Sequence, residues 1–391
     1  MDKVRLGIIG VGNMGRSHIN NWAKGLTPEI DITAVCDIDE TKFAAAREKI
    51  PGVPCFKNAT DLFASGLCDA VLIATPHYIH PDLTMEAMKA GLHVMSEKPA
   101  GVYTKQVREL IEFTKTSDKT YAIMFNQRTN CLYRKMKELI DSGKYGQMKR
   151  VSWIITDWFR THQYYDSGAW RATWSGEGGG VMLNQCPHQL DLWQWLCGMP
   201  VKIRAFCHEG KWHDIEVEDD VTIYAEYANG ATGTFITTTG DCPGTNRLEV
   251  TLDRAKIVCE YNQRSKEYEI WMYELNMNTS EFIKNADKGF AKLEGSWVKV
   301  GHDGENPQHV GVMNAFASHI LHGTPLVAEG KEGINGLTIS NAAFLSSWTN
   351  KEVTLPIDED LYYALLQEKI KNSRYQKTVR RQVENDMNST F

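Results

Sequence analysis

A glycine-rich turn directly after an apolar strand constrains this chain more than any other feature. The run Val4–Ile9 is followed by Gly10, Gly12 and Gly15 in the spacing G-x-G-x-x-G. Glycines in this spacing let the backbone turn tightly and approach a pyrophosphate, which rests on the N-terminus of the following helix. That helix is predicted to begin near Asn13. The segment therefore predicts a dinucleotide-binding site.

An acidic residue completes the unit. Asp37 follows a second predicted strand, 32–35, about twenty residues beyond the turn. A carboxylate there accepts hydrogen bonds from the adenosine ribose hydroxyls and repels a 2′-phosphate, which predicts NAD rather than NADP. An ordinary strand-to-helix turn is the alternative reading of the glycines alone. The complete βαβ unit favours the cofactor site.

Two architectures follow each other along the chain. Strands and helices alternate through residues 1–125, and a strand at 69–75 is apolar throughout, which predicts a buried, doubly wound parallel sheet. The fold class is therefore α/β, with an N-terminal Rossmann domain, 1–125, and an α+β substrate-binding and oligomerisation domain, 126–357. The second domain is predicted to contain a large, open, mainly antiparallel sheet with strands at 148–155, 201–207, 220–227, 232–238, 247–252, 256–261 and 267–273.

Local signals place the remaining elements. Asn229 and Gly230 predict a type I′ hairpin. Helices near 309–321 and 333–347 are predicted to pack back on the first domain and form a cleft. The segment 358–391 predicts one helix, 361–370, and a basic tail that is either solvated or grips a neighbouring subunit. The basic residues of the tail are Arg374, Lys377, Arg380 and Arg381.

Composition excludes several classes of protein. The 391 residues are 42% hydrophobic and 24% charged, which is typical of a soluble chain of roughly two domains. A net charge of −6 disfavours nucleic-acid and anionic-membrane partners. Nine cysteines without C-x-x-C spacing favour reduced thiols and a cytoplasmic location, and no export leader or membrane span is predicted. The histidine and cysteine spacings predict no metal site.

Five motifs together resemble the Gfo/Idh/MocA family of sugar and cyclitol oxidoreductases. In chain order they are Gly10 to Gly15, Ala74-Thr75-Pro76, Glu97-Lys98-Pro99, Trp170-Arg171, and Gly178 to Gly180 followed by Asn184 and His188. The resemblance spans nearly the whole chain. It implies an NAD-dependent enzyme that oxidises a secondary ring hydroxyl of a sugar, glycoside or cyclitol to a ketone. Similarity of the segment GGGVMLNQCPHQLDLWQW to glycoside 3-dehydrogenases makes C3 of a glucoside the preferred case.

The resemblance also implies a catalytic pair, Lys98 and His188. Oxidation of a carbinol needs a base within hydrogen-bond reach of the hydroxyl, and an imidazole titrates near neutrality. Lys98 would stabilise the developing alkoxide and share in proton transfer. How the two residues divide proton transfer is left open. A half-buried structural histidine is the alternative reading of His188.

The other implied site residues form two groups. The cofactor group is Gly10, Gly12, Asn13, Met14, Gly15, Asp37, Ala74, Thr75, Pro76, His80, Glu97, Lys98, Asn126, Trp170 and Arg171. The substrate group is Lys98, Arg128, Arg160, Asp166, Asn184 and His188. Asn184 departs from the aspartate of the commonest family pattern and is predicted to bind a substrate hydroxyl. With His188 it is predicted to project from one face of a helix, 181–196.

Aromatic side chains are concentrated between 153 and 180. Aromatic faces interspersed with polar groups suit a pyranose ring, and a tryptophan-rich core is the alternative reading. A homodimer or homotetramer is predicted because an open sheet exposes a face that calls for cover.

Two other functions stay open. One is an enzyme that recycles tightly held NAD while cleaving a glycosidic bond through a transient keto sugar, which cofactor retained through gel filtration would favour. The other is a non-catalytic sugar- or nucleotide-sensing regulator. The presence of both Lys98 and His188 favours an enzyme over this regulator.

Overall fold

The computed structural model describes residues 2–262 and 264–373. Its N-terminal sheet contains the strands β1 (Val4–Ile9), β2 (Ile30–Cys36), β3 (Cys55–Phe56), β4 (Ala70–Ile73), β5 (His93–Ser96) and β6 (Tyr121–Ile123). All neighbouring strands are parallel, in the order β3-β2-β1-β4-β5-β6. The helices between them are α1 (Asn13–Ala23), α2 (Phe43–Lys49), α3 (Ala59–Ala64), α4 (His80–Lys89) and α5 (Thr104–Thr114). The strand order reverses beside β1, which confirms the predicted Rossmann topology.

A second, nine-stranded sheet follows α6 (Cys131–Asp141). Its strands are β7 (Met148–Ile155), β8 (Lys202–Glu209), β9 (Glu218–Glu226), β10 (Thr232–Thr238), β11 (Asn246–Leu252), β12 (Ala255–Asn262), β13 (Glu267–Leu275), β14 (Gly295–Val300) and β15 (Val353–Thr354). Their order is β14-β13-β12-β11-β7-β10-β9-β8-β15, and only β7 and β10 pair in parallel among these strands. The mainly antiparallel sheet is thus confirmed, with two edge strands, β14 and β15, that the sequence pattern did not predict.

The later helices join the two sheets. They are α7 (His162–Tyr165), α8 (Pro187–Cys197), α9 (Thr279–Asn285), α10 (Gln308–His322), α11 (Gly333–Thr349) and α12 (Glu359–Asn372). Helix α10 packs Met313 and Phe316 into the Rossmann core beside Leu6 and Ile8. Helix α11 packs against α5, α8 and β8. The carboxyl edge of the parallel sheet faces the second domain, and Tyr78 Oη donates across this boundary to the main-chain O of Trp174 at 2.6 Å. The basic tail residues Arg374, Lys377, Arg380 and Arg381 lie outside the described residues.

The predicted helix 181–196 is wrong in its first turns. Residues 181–186 form turns, and α8 begins at Pro187. Proline disfavours helical backbone in the residue before it but suits the first helical position. The preceding turns are fixed by the Glu218 carboxylate, which accepts from the main-chain N of Gly180 (2.7 Å) and Met182 (2.9 Å). Asn184 and His188 therefore do not share one helical face.

The hairpin between β9 and β10 has a different turn from the one predicted. Gly230 has φ +82°, but Asn229 does not adopt the positive φ that a type I′ turn requires. The Asn229 side chain instead accepts from the main-chain N of Ala231 and donates to the main-chain O of Met148. These two hydrogen bonds hold the asparagine in the ordinary backbone region.

Candidate functional site

The three glycines of the turn have different surroundings. Gly10 has φ +94°, and a Cβ there would lie 2.5 Å from the main-chain O of Ala74. A Cβ on Gly15 would lie 1.9 Å from the main-chain O of Gly10. A Cβ on Gly12 would meet no atom within 4 Å, so this glycine faces open space at the N-terminus of α1. The turn thus fits a pyrophosphate at Gly12, and the other two glycines allow the close packing behind it.

The predicted cofactor residues Asn13 and Met14 begin α1 after the glycine turn, and Ala74, Thr75 and Pro76 form the turn that follows β4. The turns are joined directly, because the main-chain N of Ala74 donates to the main-chain O of Ile9 (2.7 Å). Among the described residues, Thr75 Oγ1 and Asn126 Oδ1 are buried without a hydrogen-bond partner. Buried polar atoms are usually satisfied, so these two fit the edge of a ligand site.

Asp37 lies at the end of β2 and is 6% exposed. Its Oδ2 accepts from the main-chain N of Val11 (2.8 Å), and its Oδ1 accepts from that of Asp39 (2.9 Å). Lys42 donates to both oxygens at 3.1 Å. These hydrogen bonds fix the carboxylate beside the glycine turn, where an adenosine ribose would lie. Among the described residues, Lys42 is the lysine that contacts this carboxylate, and the carboxylate neutralises its charge.

Replacing Asp37 with serine is expected to raise the affinity for NADP relative to NAD by about 10- to 100-fold. The change removes the charge that repels a 2′-phosphate and releases Lys42 to bind one. Fluorescence titration with both reduced cofactors measures the ratio. The double variant Asp37→Ser/Lys42→Met is the control and should lose most of the gain. An unchanged ratio in Asp37→Ser would show that Asp37 does not face the ribose.

His80 lies behind this edge and is 1% exposed. Its Nε2 lies 2.7 Å from the main-chain O of Thr75, and its Nδ1 lies 2.8 Å from that of Pro99. Both ring nitrogens are thus engaged by protein carbonyl groups. The structure places this predicted cofactor residue where it ties the segment after β4 to the segment after β5.

A buried cluster surrounds Glu97. Its Oε1 lies 2.8 Å from His18 Nε2, and the His18 ring packs edge-on against that of His309. Burial acts to raise the pKa of Glu97, but His18, His309 and Lys98 hold it below its ordinary value. Burial lowers the pKa of His309 to about 4. Asn126 lies at the same place, with its Nδ2 2.6 Å from Gln308 Oε1. Glu97 is therefore an ionised group at the carboxyl edge of the Rossmann sheet.

Lys98 and His188 come from different domains and lie close enough for the Lys98 charge to act on the imidazole. Lys98 Nζ donates to the main-chain O of Asn184 (2.8 Å). His188 lies in the first turn of α8, is 1% exposed and packs edge-on against Phe125. Burial, reinforced by the Lys98 charge, lowers the pKa of His188 well below its ordinary value. Burial also lowers the pKa of Lys98. The pair thus combines a neutral imidazole with an amine that releases its proton more readily than in water.

Tyr164 connects several predicted residues on the second-domain side. Its Oη accepts from Arg171 Nη1 and from Gln185 Nε2, both at 2.8 Å, and donates to Asn184 Oδ1 at 3.3 Å. The guanidinium groups of Arg160 and Arg171 lie 5.2 and 4.7 Å from its ring centroid. This cluster presents hydroxyl, amide and guanidinium groups beside Lys98.

Trp170 adds an aromatic face to the cluster. Its ring packs edge-on against His77 at 5.3 Å and lies 4.7 Å from the Arg171 guanidinium. The main-chain O of Glu177 accepts from His77 Nδ1 at 3.2 Å. The loop from Trp170 to Glu177 is therefore attached to the Rossmann domain through His77.

Two predicted substrate residues are not brought into the cluster. Arg128 is 4% exposed, and its guanidinium pairs with Asp191 and Glu332 at 2.6 Å each. Those pairs anchor α8 behind His188. Asp166 follows α7 as its C-terminal capping residue, with its main-chain N donating to the main-chain O of His162 at 2.9 Å. A role for either residue in binding substrate stays a prediction.

Sequence reasoning missed four residues of the site: His18, Glu177, Gln185 and His309. Glu177 had a visible signal, since it is a lone carboxylate within a run of glycines from Gly176 to Gly180. The histidines had none, because their contacts depend on how α1 and α10 pack. Within the described ranges, no helix is long and apolar enough to cross a membrane, and no three or more His, Cys, Asp or Glu side chains are grouped to hold a metal ion.

Fold and site define a two-domain protein with an NAD-binding Rossmann domain and a cluster of polar side chains at its carboxyl edge. The chain belongs to the GFO/IDH/MocA family. Residues 4–125 match the family described as "Oxidoreductase family, NAD-binding Rossmann fold", and residues 133–258 match the GFO/IDH/MocA C-terminal domain. The predicted family and cofactor are thus confirmed.

Several proteins of known sequence are similar to this chain. Inositol 2-dehydrogenase from Corynebacterium glutamicum (strain R) is 25% identical over 58% of this chain and 64% of that protein. The rhizopine catabolism protein MocA from Rhizobium meliloti is 28% identical over 52% of this chain and 61% of that protein. The chain thus aligns with less than two thirds of these relatives' length.

Solved structures share the fold over most of the chain. The WlbA dehydrogenase from Bordetella pertussis, in complex with NADH and UDP-GlcNAcA, has a TM-score of 0.75 at 23% identity, covering 91% of this chain and all of that one. Levoglucosan dehydrogenase, in complex with NADH and levoglucosan, has a TM-score of 0.74 at 20% identity, covering 90% of this chain and all of that one.

Proposed function

We propose that this protein is an NAD-dependent dehydrogenase that oxidises a secondary ring hydroxyl of a sugar, glycoside or cyclitol to a ketone. The preferred substrate is a glucoside, oxidised at C3. One observation supports the proposal: beside the carboxyl edge of the parallel sheet, Lys98 Nζ donates to the main-chain O of Asn184, and the Lys98 charge acts on the buried His188 imidazole. Ligands of open α/β sheets bind at this edge, beside the point where the strand order reverses.

The pair accounts for the proton that the reaction releases. Oxidation breaks the O–H and C–H bonds of the carbinol and forms the C=O bond of the ketone. A bound NAD would supply the acceptor for the hydride that leaves the carbon. His188 accepts the hydroxyl proton because its lowered pKa keeps it neutral, and Lys98 stabilises the negative charge that develops on the oxygen. In the reverse direction the same groups return the proton.

The cluster around Tyr164 supports a polyhydroxylated ring as the substrate. Arg160, Arg171 and Asn184 offer hydrogen-bond groups, and Trp170 offers an aromatic face on which the C–H face of a pyranose would pack. We also assign Arg128 and Asp166 to the substrate side, Arg128 acting through the position of α8. The names of the relatives agree with this class, since they include dehydrogenases of inositol and levoglucosan.

A substrate panel tests the proposal. Purified protein is mixed with NAD and, in separate reactions, alkyl and aryl glucosides, free hexoses and inositols, and the absorbance of reduced nicotinamide is followed. Glucosides are expected to react fastest. Preference for inositols would retain the dehydrogenase but reject the C3 glucoside assignment. No reaction across the panel, with NAD retained through gel filtration, would favour the recycled-cofactor enzyme instead; no reaction and no retained NAD would favour the sensor.

We further propose that the open face of the nine-stranded sheet forms a homodimer or homotetramer. The register aligns Phe206, Thr222, Ile236 and Ile154 across β8, β9, β10 and β7 on one face. The exposed fractions of Phe206 and Ile154 are 52% and 39%, whereas the residues of the other face are buried. A second copy of the chain is the occupant that covers this row.

Replacing Phe206 with aspartate is expected to weaken self-association by about 100-fold or more, because it puts a charge in the apolar row. Light scattering over a concentration series measures the effect. Ile283→Asp is the matched control, since Ile283 is 75% exposed but lies on α9, away from this face. A wild-type protein that stays monomeric at every concentration would contradict the proposal.

A further inference from the structure

Glu177 is a buried carboxylate in the glycine-rich loop beside the catalytic pair. It is 2% exposed. Its Oε2 accepts from the main-chain N of Ala172 (2.6 Å), and its Oε1 accepts from Asn184 Nδ2. Burying a charged carboxylate costs free energy that an uncharged side chain would not cost. The presence of Glu177 at this position therefore calls for a role that depends on its charge.

Asn184 lies between Glu177 and Lys98. Its side-chain amide donates to Glu177, and its main-chain O accepts from Lys98 Nζ at 2.8 Å. Its Oδ1 accepts from Tyr164 Oη at 3.3 Å. This pattern fixes the orientation of the amide, because a carboxylate accepts hydrogen bonds and does not donate them. One residue therefore connects the carboxylate to the lysine.

We propose that Glu177 is a positioning residue for Lys98: its carboxylate holds Asn184 in place and supplies the negative charge that keeps the lysine ammonium beside the reacting hydroxyl. This inference rests on the proposed dehydrogenase function. The acid and the amide are the two ends of one hydrogen bond, so they should be exchangeable. An aspartate at 184 with a glutamine at 177 would keep one carboxylate near Lys98 and one hydrogen bond across the pair.

The charges around Lys98 agree with this role. Burial lowers the pKa of Lys98, and Arg171 lowers it further, whereas the charges of Glu97 and Glu177 raise it. Cys186 lies within the same environment and also acts to raise it. The neighbouring histidines are His77, His80, His188 and His309, and the Lys98 charge lowers the pKa of each. Glu97, in the Rossmann domain, and Glu177, in the second domain, thus both favour the charged lysine.

Three variants test the inference: Glu177→Gln, Asn184→Asp and the double exchange Glu177→Gln/Asn184→Asp. Glu177→Gln is expected to lower kcat by about tenfold or more and to move the alkaline limb of the kcat profile to lower pH. Asn184→Asp places two carboxylates in contact and is expected to lower kcat similarly. The double exchange should recover most of the loss and return the alkaline limb towards that of the wild type.

Glu216→Gln is the matched control. Glu216 holds the same loop, accepting from the main-chain N of Trp174 at 2.7 Å, but the main charges that shift the pKa of Lys98 are those of Glu97, Arg171 and Glu177. Its replacement should leave the alkaline limb in place. The inference would be overturned if kcat of the double exchange were no higher than that of the slower single variant. It would also be overturned if the alkaline limb of the pH profile stayed in place in Glu177→Gln.

A readout that needs no turnover separates this inference from the proposed function. Lys98 is titrated by NMR of the isotope-labelled side chain in the wild type and in Glu177→Gln, with Lys98→Arg used to assign the signal. A lower Lys98 pKa in Glu177→Gln supports the inference even when no substrate reacts. The absence of any reaction would reject only the proposed dehydrogenase function. An unchanged Lys98 pKa overturns the inference even when the dehydrogenase is active.

Discussion

Replacing His188 with alanine is expected to lower kcat by about 10²- to 10⁴-fold while NAD affinity changes little. The loss removes the group that accepts the hydroxyl proton, and His188 is not part of the glycine turn or of the Asp37 site. Steady-state kinetics with the best substrate of the panel gives kcat, and fluorescence titration gives the cofactor affinity. His322→Ala is the control, because His322 is exposed at the end of α10. Unchanged turnover in His188→Ala would remove this residue from the mechanism.

The pH dependence follows from the same residue. Burial first, and then the charge of Lys98, hold the pKa of His188 well below 6.5. The neutral form accepts the proton, so oxidation slows only when pH falls through the lowered pKa. The rate is therefore expected to stay flat as pH decreases through 6.5, and the acid limb to lie well below that value. An acid limb centred at 6.5 would mean that the base is an ordinary, solvated histidine.

Replacing Lys98 with methionine is expected to lower kcat by about 10³-fold, because methionine fills similar space without a charge or a proton. Lys98→Arg keeps the charge but does not release a proton near neutral pH. Comparing the two variants therefore distinguishes electrostatic stabilisation by Lys98 from proton transfer, which the sequence did not separate. Recovery of most activity in Lys98→Arg would assign electrostatic stabilisation to Lys98, and equal losses would assign proton transfer. Full activity in Lys98→Met would exclude both roles.

Local geometry explains which parts of the site the sequence predicted. Gly10, Gly12 and Gly15 are close together in the sequence, and their spacing is the constraint, so the turn follows from a short segment. The preference for NAD follows from Asp37, at the end of the next strand. Lys98 and His188 are 90 positions apart in the sequence, and no periodicity links them. The family resemblance predicted that the two residues act together. Their placement depends on how the loops of the second domain fold against the edge of the first.

Tertiary contacts explain the failures. The apolar run before Pro187 has a helical pattern, but Glu218, on β9, binds the main chain at Gly180 and Met182 and holds it in turns. β14 lies at the sheet edge and is largely exposed, so it lacks the buried alternation that marks a strand. The link from Glu177 through Asn184 to Lys98 joins three segments and leaves no pattern in any one of them.

The origin of the transferred hydrogen tests the central claim most directly. An alkyl glucoside deuterated at C3 is incubated with the protein and NAD, and the reduced nicotinamide and the sugar are analysed by mass spectrometry. The proposed function predicts deuterium on the nicotinamide and a 3-keto glucoside, both lost in His188→Ala. Reduced nicotinamide without deuterium, or a glucoside that keeps its label while other ring hydroxyls or cyclitols react, would contradict oxidation at C3.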